Sequence, residues 1–412
     1  MKSGRKAAVV SMSPEIKHLS ARLQELGGGI NTRAGELAVY CRLAPLRRRP
    51  TADYFSAVTI DPDSHEIIAK HQLLSSGETK AQRYAPRSFR IDTVFDASCE
   101  NLLIRDCLMD ASDKNSPIAW VWSGFNTAIV SFGEVDSGKS FTLFSPAKGI
   151  KSLYTRAIES LFQLISDSAK TSPNSTGLPT FALSVSLWEL VHSQTDHCEV
   201  VTDLLRVSDA KPLPGAAGDL TAVQVNSVEE AETLFAAARE MSENWRTNAE
   251  GGFESLHNRG HFFVRLMLYE AGEKRLSSLH IVDLAGTLPS NLGADMRAKL
   301  GSDEQLTACR MGLNQFRSMV WELSKSDGSA PVDLLAVTST RKSKLAQFMA
   351  PVLAGNCRTY LLACVREDST FADACKTLEL SVQAGKICTP CMKTVGVEKA
   401  ELKLVHFSIL QA

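Results

Sequence analysis

Alternating apolar and polar positions, giving way to a helical rhythm and back, divide most of this chain into strands and helices. "TFALSVSLW" sets Phe181, Leu183, Val185 and Leu187 two residues apart, and side chains so spaced share one face of a strand. "HFFVRLML" repeats the pattern with Phe262, Val264, Leu266 and Leu268. "ELAVYCRL", residues 128–132 and "LHIVDLAG" are short apolar runs that read as strands, the second ending at Gly133 and the third at Asp283. Helical spacing links Ile150, Leu153, Tyr154, Ala157, Ile158, Leu161, Phe162 and Ile165. Ser227 with Glu230 forms a capping-box pair ahead of Val228, Ala231, Leu234, Phe235 and Ala238. Phe371, Ala374, Leu378 and Val382 mark a late helix. Strands and helices intermix with no linker, which predicts one α/β domain over residues 35–390. Residues 1–34 read as an N-terminal extension and 391–412 as a short tail. "SDSAKTSPNSTG" and "DAKPLPGAAGD" are loops by composition.

Composition narrows the classes of function. With 412 residues, 44% apolar and 22% charged, the chain can bury a large core. A net charge of −1 supplies no basic field for nucleic acid, so an acidic partner must meet a local basic patch. The ten cysteines are mostly scattered, which suits a reducing cytoplasm. Cys388 and Cys391 lack a second pair at zinc-site spacing, and two ordinary thiols are favoured over a redox pair. "MKSGRKAAVV" is too short in its apolar part for a signal peptide, and no run is long enough to cross a membrane. No heptad repeat follows residue 390, so the chain is expected to lack a coiled coil of its own and to work as a monomer or with a different partner.

The chemistry concentrates in "AIVSFGEVDSGKSFTLF". Gly133, Gly138, Lys139 and Ser140 have phosphate-loop spacing, between an apolar strand and an amphipathic helix. Such a loop turns backbone N–H groups and a helix N-terminus toward phosphate. Lys139 is placed to reach the β- and γ-phosphates and Ser140 to bind Mg²⁺. Asp283-Leu284-Ala285-Gly286 ends a second apolar strand. There a carboxylate can hold Mg²⁺ through water and the Gly286 N–H can sense a γ-phosphate. Together they indicate a nucleotide hydrolase or a descendant of one, built on a mostly parallel or mixed central sheet with helices on both faces. A guanine-reading motif is not evident, which disfavours a GTPase. Glu134 and Asp136 weaken the loop's positive field only if they point inward.

In order along residues 36–390, these segments resemble a kinesin motor domain. "AVYCRLAPL" resembles its first strand, "NTAIVSFGEVDSGKSFTLF" its phosphate loop, and "NRGHFFVRLML" the end of its first switch. "HIVDLAG" resembles its second switch, "RKSKL" its microtubule-facing segment and "CKTLELSVQAGKI" its closing helix. The resemblance implies ATP and Mg as cofactors, tubulin as partner, and a cytoplasmic, cytoskeletal setting. Arg42 and Pro45 would flank the adenine. Gly133, Glu134, Val135, Asp136, Ser137, Gly138, Lys139, Ser140 and Phe141 would form the nucleotide loop. Arg259, Asp283 and Gly286 would serve catalysis, and Arg341, Lys342 and Lys344 would face tubulin.

The departures fall on the trigger for hydrolysis. Where the family has two switch serines this chain has His257 and Asn258, and Gly260 follows Arg259. The family glutamate that pairs with the switch arginine is Leu288 here. Losing one group that positions or stabilises charge costs about 10²–10³ in rate. Slow hydrolysis is therefore expected. The alternative is a non-motile kinesin-like module that binds microtubules with little or no ATPase.

Overall fold

A strand buried from end to end needs cover on both faces and a neighbour on both edges, and residues 127–133 have them. In a computed structural model of the chain the residues described are 32–45, 57–61, 66–70, 85–97, 101–144, 151–171, 181–193, 198–206, 220–242, 260–288, 303–325 and 343–396. The strands are β1 (Thr32–Glu36), β2 (Ala38–Ala44), β3 (Val58–Ile60), β4 (Ile67–Ala69), β5 (Arg87–Phe89), β6 (Thr93–Phe95), β7 (Thr127–Gly133), β8 (Phe181–Ser193), β9 (Cys198–Asp203), β10 (Val223–Val225), β11 (His261–Glu270), β12 (Arg275–Asp283), β13 (Arg358–Arg366) and β14 (Cys388–Met392). The helices are α1 (Asn101–Met109), α2 (Pro117–Trp122), α3 (Lys139–Phe144), α4 (Leu153–Thr171), α5 (Val228–Met241), α6 (Asp303–Leu323), α7 (Lys344–Ala354) and α8 (Phe371–Ala384).

The main sheet runs β10-β8-β11-β12-β7-β13-β2-β6, with β9 also on β8. Its half from β12 to β6 is parallel, and its other half is antiparallel. Every residue of β7 is buried, as parallel strands under helices on both faces must be. Successive side chains take opposite faces. Ile129, Val264 and Ile281 pack with Leu153, Ile158 and Phe235 of α4 and α5. Val130, Phe263 and Val282 pack with Phe316 of α6 and Met349 of α7. α8 closes a third cluster, with Leu378 against Cys41, Val58 and Ile67. The mixed sheet with helices on both faces is the fold the sequence pattern implies.

The expected strands and helices fall where the periodicity puts them, but α4 runs on to Thr171, through the first half of the stretch 166–177 expected as a loop; the rest of that stretch and 209–219 lie outside the described residues. The helical rhythm from Leu153 to Ile165 is α4, Ile150 lies outside the described residues, and a separate short helix, α3, follows the loop directly. Ser227 caps α5 by accepting from the Glu230 N–H at 3.2 Å. The Glu230 carboxylate returns to the Asn226 N–H at 2.8 Å rather than to that of Ser227. β1 and β14 pair antiparallel from Thr32–Met392 to Glu36–Cys388, across both expected domain boundaries. Cys388 and Cys391 lie three apart on β14, so they face opposite sides of it, and Cys391 is buried with Trp120 and Phe125.

Glu199 of β9 ties the two helices of one face together. Its carboxylate accepts from the Ser343 hydroxyl at 3.1 Å and from the Lys344 N–H, capping α7, while the Ser343 N–H donates to Gln315 of α6 at 3.0 Å. A cap of this kind contributes roughly 0.5–2 kcal/mol. Glu199→Ala should lower unfolding free energy by about that amount in urea titration. An unchanged midpoint would mean that α7 does not depend on this cap.

Candidate functional site

β7 delivers its chain end to the loop, and the loop is shaped by three residues of positive φ: Gly133 at 152°, Asp136 at 65° and Gly138 at 85°. Gly133 has to be glycine, because a Cβ there would lie 2.0 Å from the Cys364 carbonyl of β13. Asp136 is one of few residue types that tolerate the left-handed region. The loop then feeds α3, whose first residue is Lys139.

Lys139 is buried at 4% exposure. Its ammonium donates to the Glu134 carbonyl at 2.6 Å and the Gly133 carbonyl at 3.3 Å. Burial pulls its pKa below the usual lysine range, opposed by the nearby Asp283 carboxylate. Asp283 is fully buried at the end of β12, directly opposite Ser131 of β7. Ser131 donates to one carboxylate oxygen at 2.8 Å, and the Ser140 hydroxyl donates to the other. A hydroxyl, a carboxylate and a buried ammonium thus converge where the loop meets α3. These hard oxygen donors suit Mg²⁺, which keeps several of its waters and takes few protein ligands. The backbone loop beside them suits a polyphosphate.

The segment from Asp283 to Thr287, which resembles a second switch, lies directly on the loop. The Thr287 N–H donates to the Gly133 carbonyl at 2.9 Å and the Val135 N–H donates to the Thr287 carbonyl at 3.0 Å. Between them Gly286 lies so close that a Cβ would come 2.5 Å from both the N and the Cα of Val135. His261, the first residue of β11, also meets this segment. Its Nδ1 accepts from the Ala285 N–H at 3.1 Å, and burial drives its pKa down to about 3.

The two loop carboxylates differ. Glu134 is 1% exposed and turns onto the junction of β13 and α8. There it accepts from the Ser369 hydroxyl and stands 3.7 Å from the Arg366 guanidinium. Asp136 is partly exposed. Arg42 is buried and sits under the loop: Nη1 donates to the Thr142 hydroxyl at 2.6 Å and to the Gly138 carbonyl at 3.3 Å, with the guanidinium 5.6 Å from the Phe141 ring. Phe141 and Pro45 are exposed. Lys344 opens α7 and is half-buried, as is Leu288. Arg259, Arg341 and Lys342, with His257 and Asn258, lie outside the described residues.

Sequence reasoning passed over Ser131, Thr287, Arg366 and Ser369. Ser131 alone left a trace, as the one hydroxyl inside the apolar run 128–132. It also passed over the outer face of α6, where Met311 and Trp321 are 52% and 51% exposed and Lys325 lies 5.3 Å from the Trp321 ring.

The profile of the kinesin motor domain matches residues 42–387. Kinesin-like protein KIN-14D of Oryza sativa subsp. japonica is 24% identical over 399 residues, covering 92% of this chain and 36% of that protein. Kinesin-like protein 8 of Schizosaccharomyces pombe is 24% identical over 349 residues, covering 80% of this chain and 63% of its own length. The chain thus spans only part of the curated relatives it matches. Among solved structures, a KIF14[391-772] dimer with AMP-PNP on a microtubule superposes with a TM-score of 0.63 at 18% identity, over 91% of this chain and 100% of that one. The motor domain of the Kar3-like kinesin from Ashbya gossypii gives 0.57 at 17% identity, over 85% and 99%.

Proposed function

From the premise that this chain belongs to the kinesin motor-domain family, a family of ATP-binding microtubule motors, we propose that it binds Mg-ATP in the 133–141 loop and hydrolyses it slowly on microtubules. The convergence of Lys139, Ser140 and Asp283, with Ser131 orienting the carboxylate, carries this reading. Loop N–H groups and Lys139 would hold the phosphates, and Ser140 and Asp283 the Mg²⁺. Bound Mg²⁺ neutralises phosphate charge and polarises the phosphoryl oxygens. The Ser131 and Ser140 hydroxyls each donate to one oxygen of the Asp283 carboxylate and orient it. Thr287 holds this segment on the loop, where the Gly286 N–H would be placed to sense the outermost phosphate. The slow rate follows from Leu288, an apolar residue where the family places a carboxylate. The test is steady-state ATPase with and without microtubules. Turnover well above that of Lys139→Ala, yet low for a motor, is the expected result. Turnover equal to that of the variant overturns hydrolysis.

The bridge of Thr287 to the loop also favours a second reading, a microtubule-binding module with little turnover. A loop already satisfied by Lys139 and Thr287 has less to gain from phosphate. Mg-ATP at millimolar concentration should still raise the unfolding temperature if nucleotide is retained, since a ligand of the native state stabilises it by mass action.

We place the tubulin contact on α6 and the start of α7. Arg310 and Arg317 accompany the exposed Met311 and Trp321 on α6, with Lys325 two residues past its end, and Lys344 opens α7, with Arg341 and Lys342 just before it in the sequence. Charge-led binding to an acidic surface is screened beyond about 8 Å at physiological ionic strength. Co-sedimentation with microtubules should therefore weaken as salt rises. Replacing Arg341, Lys342 and Lys344 together by alanine should flatten that salt dependence. Unchanged co-sedimentation would put the contact elsewhere.

A further inference from the structure

Glu134 is buried at the hinge of the phosphate loop and both its ends are used. Its carbonyl is the nearer acceptor of the Lys139 ammonium, at 2.6 Å, and also accepts from the Ser137 hydroxyl at 2.8 Å. Its backbone is bridged to Thr287. Its side chain leaves the loop for another element, taking the Ser369 hydroxyl with Arg366 3.7 Å away. Ser369 is fully buried and lies one residue before Thr370, which caps α8 by accepting from the Asp373 N–H at 3.2 Å. Arg366 is held in turn by Asp368 at 2.9 Å. The groups facing the carboxylate are therefore Ser369, Arg366, Asp373 and Lys139. An ammonium held by two carbonyls stays where those carbonyls stay. The Glu134 carbonyl has one side-chain tether, and that tether ends in the rigid β13–α8 junction.

We propose that Glu134 is a positioning residue for nucleotide: its carboxylate fixes the phosphate loop to the β13–α8 junction, so that its carbonyl holds the Lys139 ammonium in the loop. The proposal rests on the reading that this loop takes Mg-nucleotide. It assigns the Glu134 side chain no contact with phosphate. It also distinguishes the carboxylate's shape, which accepts the Ser369 hydroxyl, from its charge. Glutamine keeps the acceptor and alanine removes it.

The full chain is compared with Glu134→Ala, Glu134→Gln and Ser369→Ala in two assays. The first, without nucleotide, follows acetylation of Lys139 by acetic anhydride with mass spectrometry. The second follows binding of a fluorescent Mg-ADP analogue. In Glu134→Ala, Lys139 should be acetylated at least fivefold faster and the analogue bound at least tenfold more weakly. Glu134→Gln should stay within about twofold of the native chain in both. Ser369→Ala should shift both in the direction of the alanine variant, by about threefold, and it carries the test if Glu134→Ala does not fold. Native rates of acetylation in Glu134→Ala and Ser369→Ala overturn the proposal. So does Glu134→Gln behaving like Glu134→Ala, since charge and not position would then be at work. If the native chain does not bind the analogue, nucleotide binding is refuted, and the acetylation series still decides whether Glu134 holds Lys139.

Discussion

Gly286→Ala should disable the nucleotide site while leaving most of the fold in place. The added methyl would lie 2.5 Å from two backbone atoms of Val135, and backbone cannot swing aside as a long side chain can. Either the second switch lifts off or the loop is pushed back. Both routes break the Thr287 pair to Gly133 and Val135. Losing two hydrogen bonds, each worth about 0.5–1.5 kcal/mol, and straining a packed segment should cost roughly 2–4 kcal/mol. The loop holds Lys139 through the Gly133 and Glu134 carbonyls, so the damage reaches the ammonium. Nucleotide affinity should fall by at least about tenfold, read by equilibrium binding of Mg-ADP, with urea unfolding reporting the loss of stability. Native affinity in this variant would show that the switch segment is free to leave the loop without consequence.

The parts of this site that were legible in the sequence are those written in local spacing. Gly133 to Ser140 is one turn and a helix start, and Asp283 ends an apolar run, so both could be read from a few neighbouring residues. What could not be read lies in contacts between distant segments. Glu134 meets Ser369 across 235 positions. Arg42 reaches Thr142 across 100, which puts its guanidinium under the loop and against Phe141. Whether a loop carboxylate points inward depends on a partner that spacing does not reveal.

The same holds for the fold. β8 and β11 alternate because one row of their residues packs against α4 and α5, so their pattern shows. α7 is buried along nearly its whole length, with Gln347 its one exposed residue, and carries Pro351 inside it. A helix without a polar face has no amphipathic signal, and an internal proline reads as a break. α6 packs Leu313, Phe316, Val320 and Leu323 at helical spacing, but Met311 and Trp321 on its outer face blur the stripe.

The acid side of the stability profile should be set in part by two buried histidines. His261 accepts the Ala285 N–H with Nδ1, so it must be neutral at that nitrogen, and burial lowers its pKa to about 3. His280 is lowered to about 3 by burial and by the Arg265 guanidinium, with its Nε2 3.1 Å from the Ser278 hydroxyl. In the unfolded chain both would titrate near 6.5. A histidine with a depressed folded pKa contributes stability that is complete above pH 6.5 and is lost as pH falls from there toward 3, because the unfolded state takes the proton first. Between pH 6.5 and 5.5 each histidine should cost about 1 kcal/mol. Burial raises the carboxyls of Glu134, Glu199 and Glu270 toward this window, and their protonation in the folded state opposes the histidine loss. His261→Asn places an oxygen acceptor near the Nδ1 position and cannot be protonated. It should keep the bond to Ala285 and remove about half of the loss between pH 6.5 and 5.5, read by urea unfolding at each pH. Mg-ADP binding by the folded protein should not depend on His261 across this window, because the folded ring is neutral throughout it. A native slope in His261→Asn would mean that His261 titrates normally, and that the switches are not joined through its neutral ring.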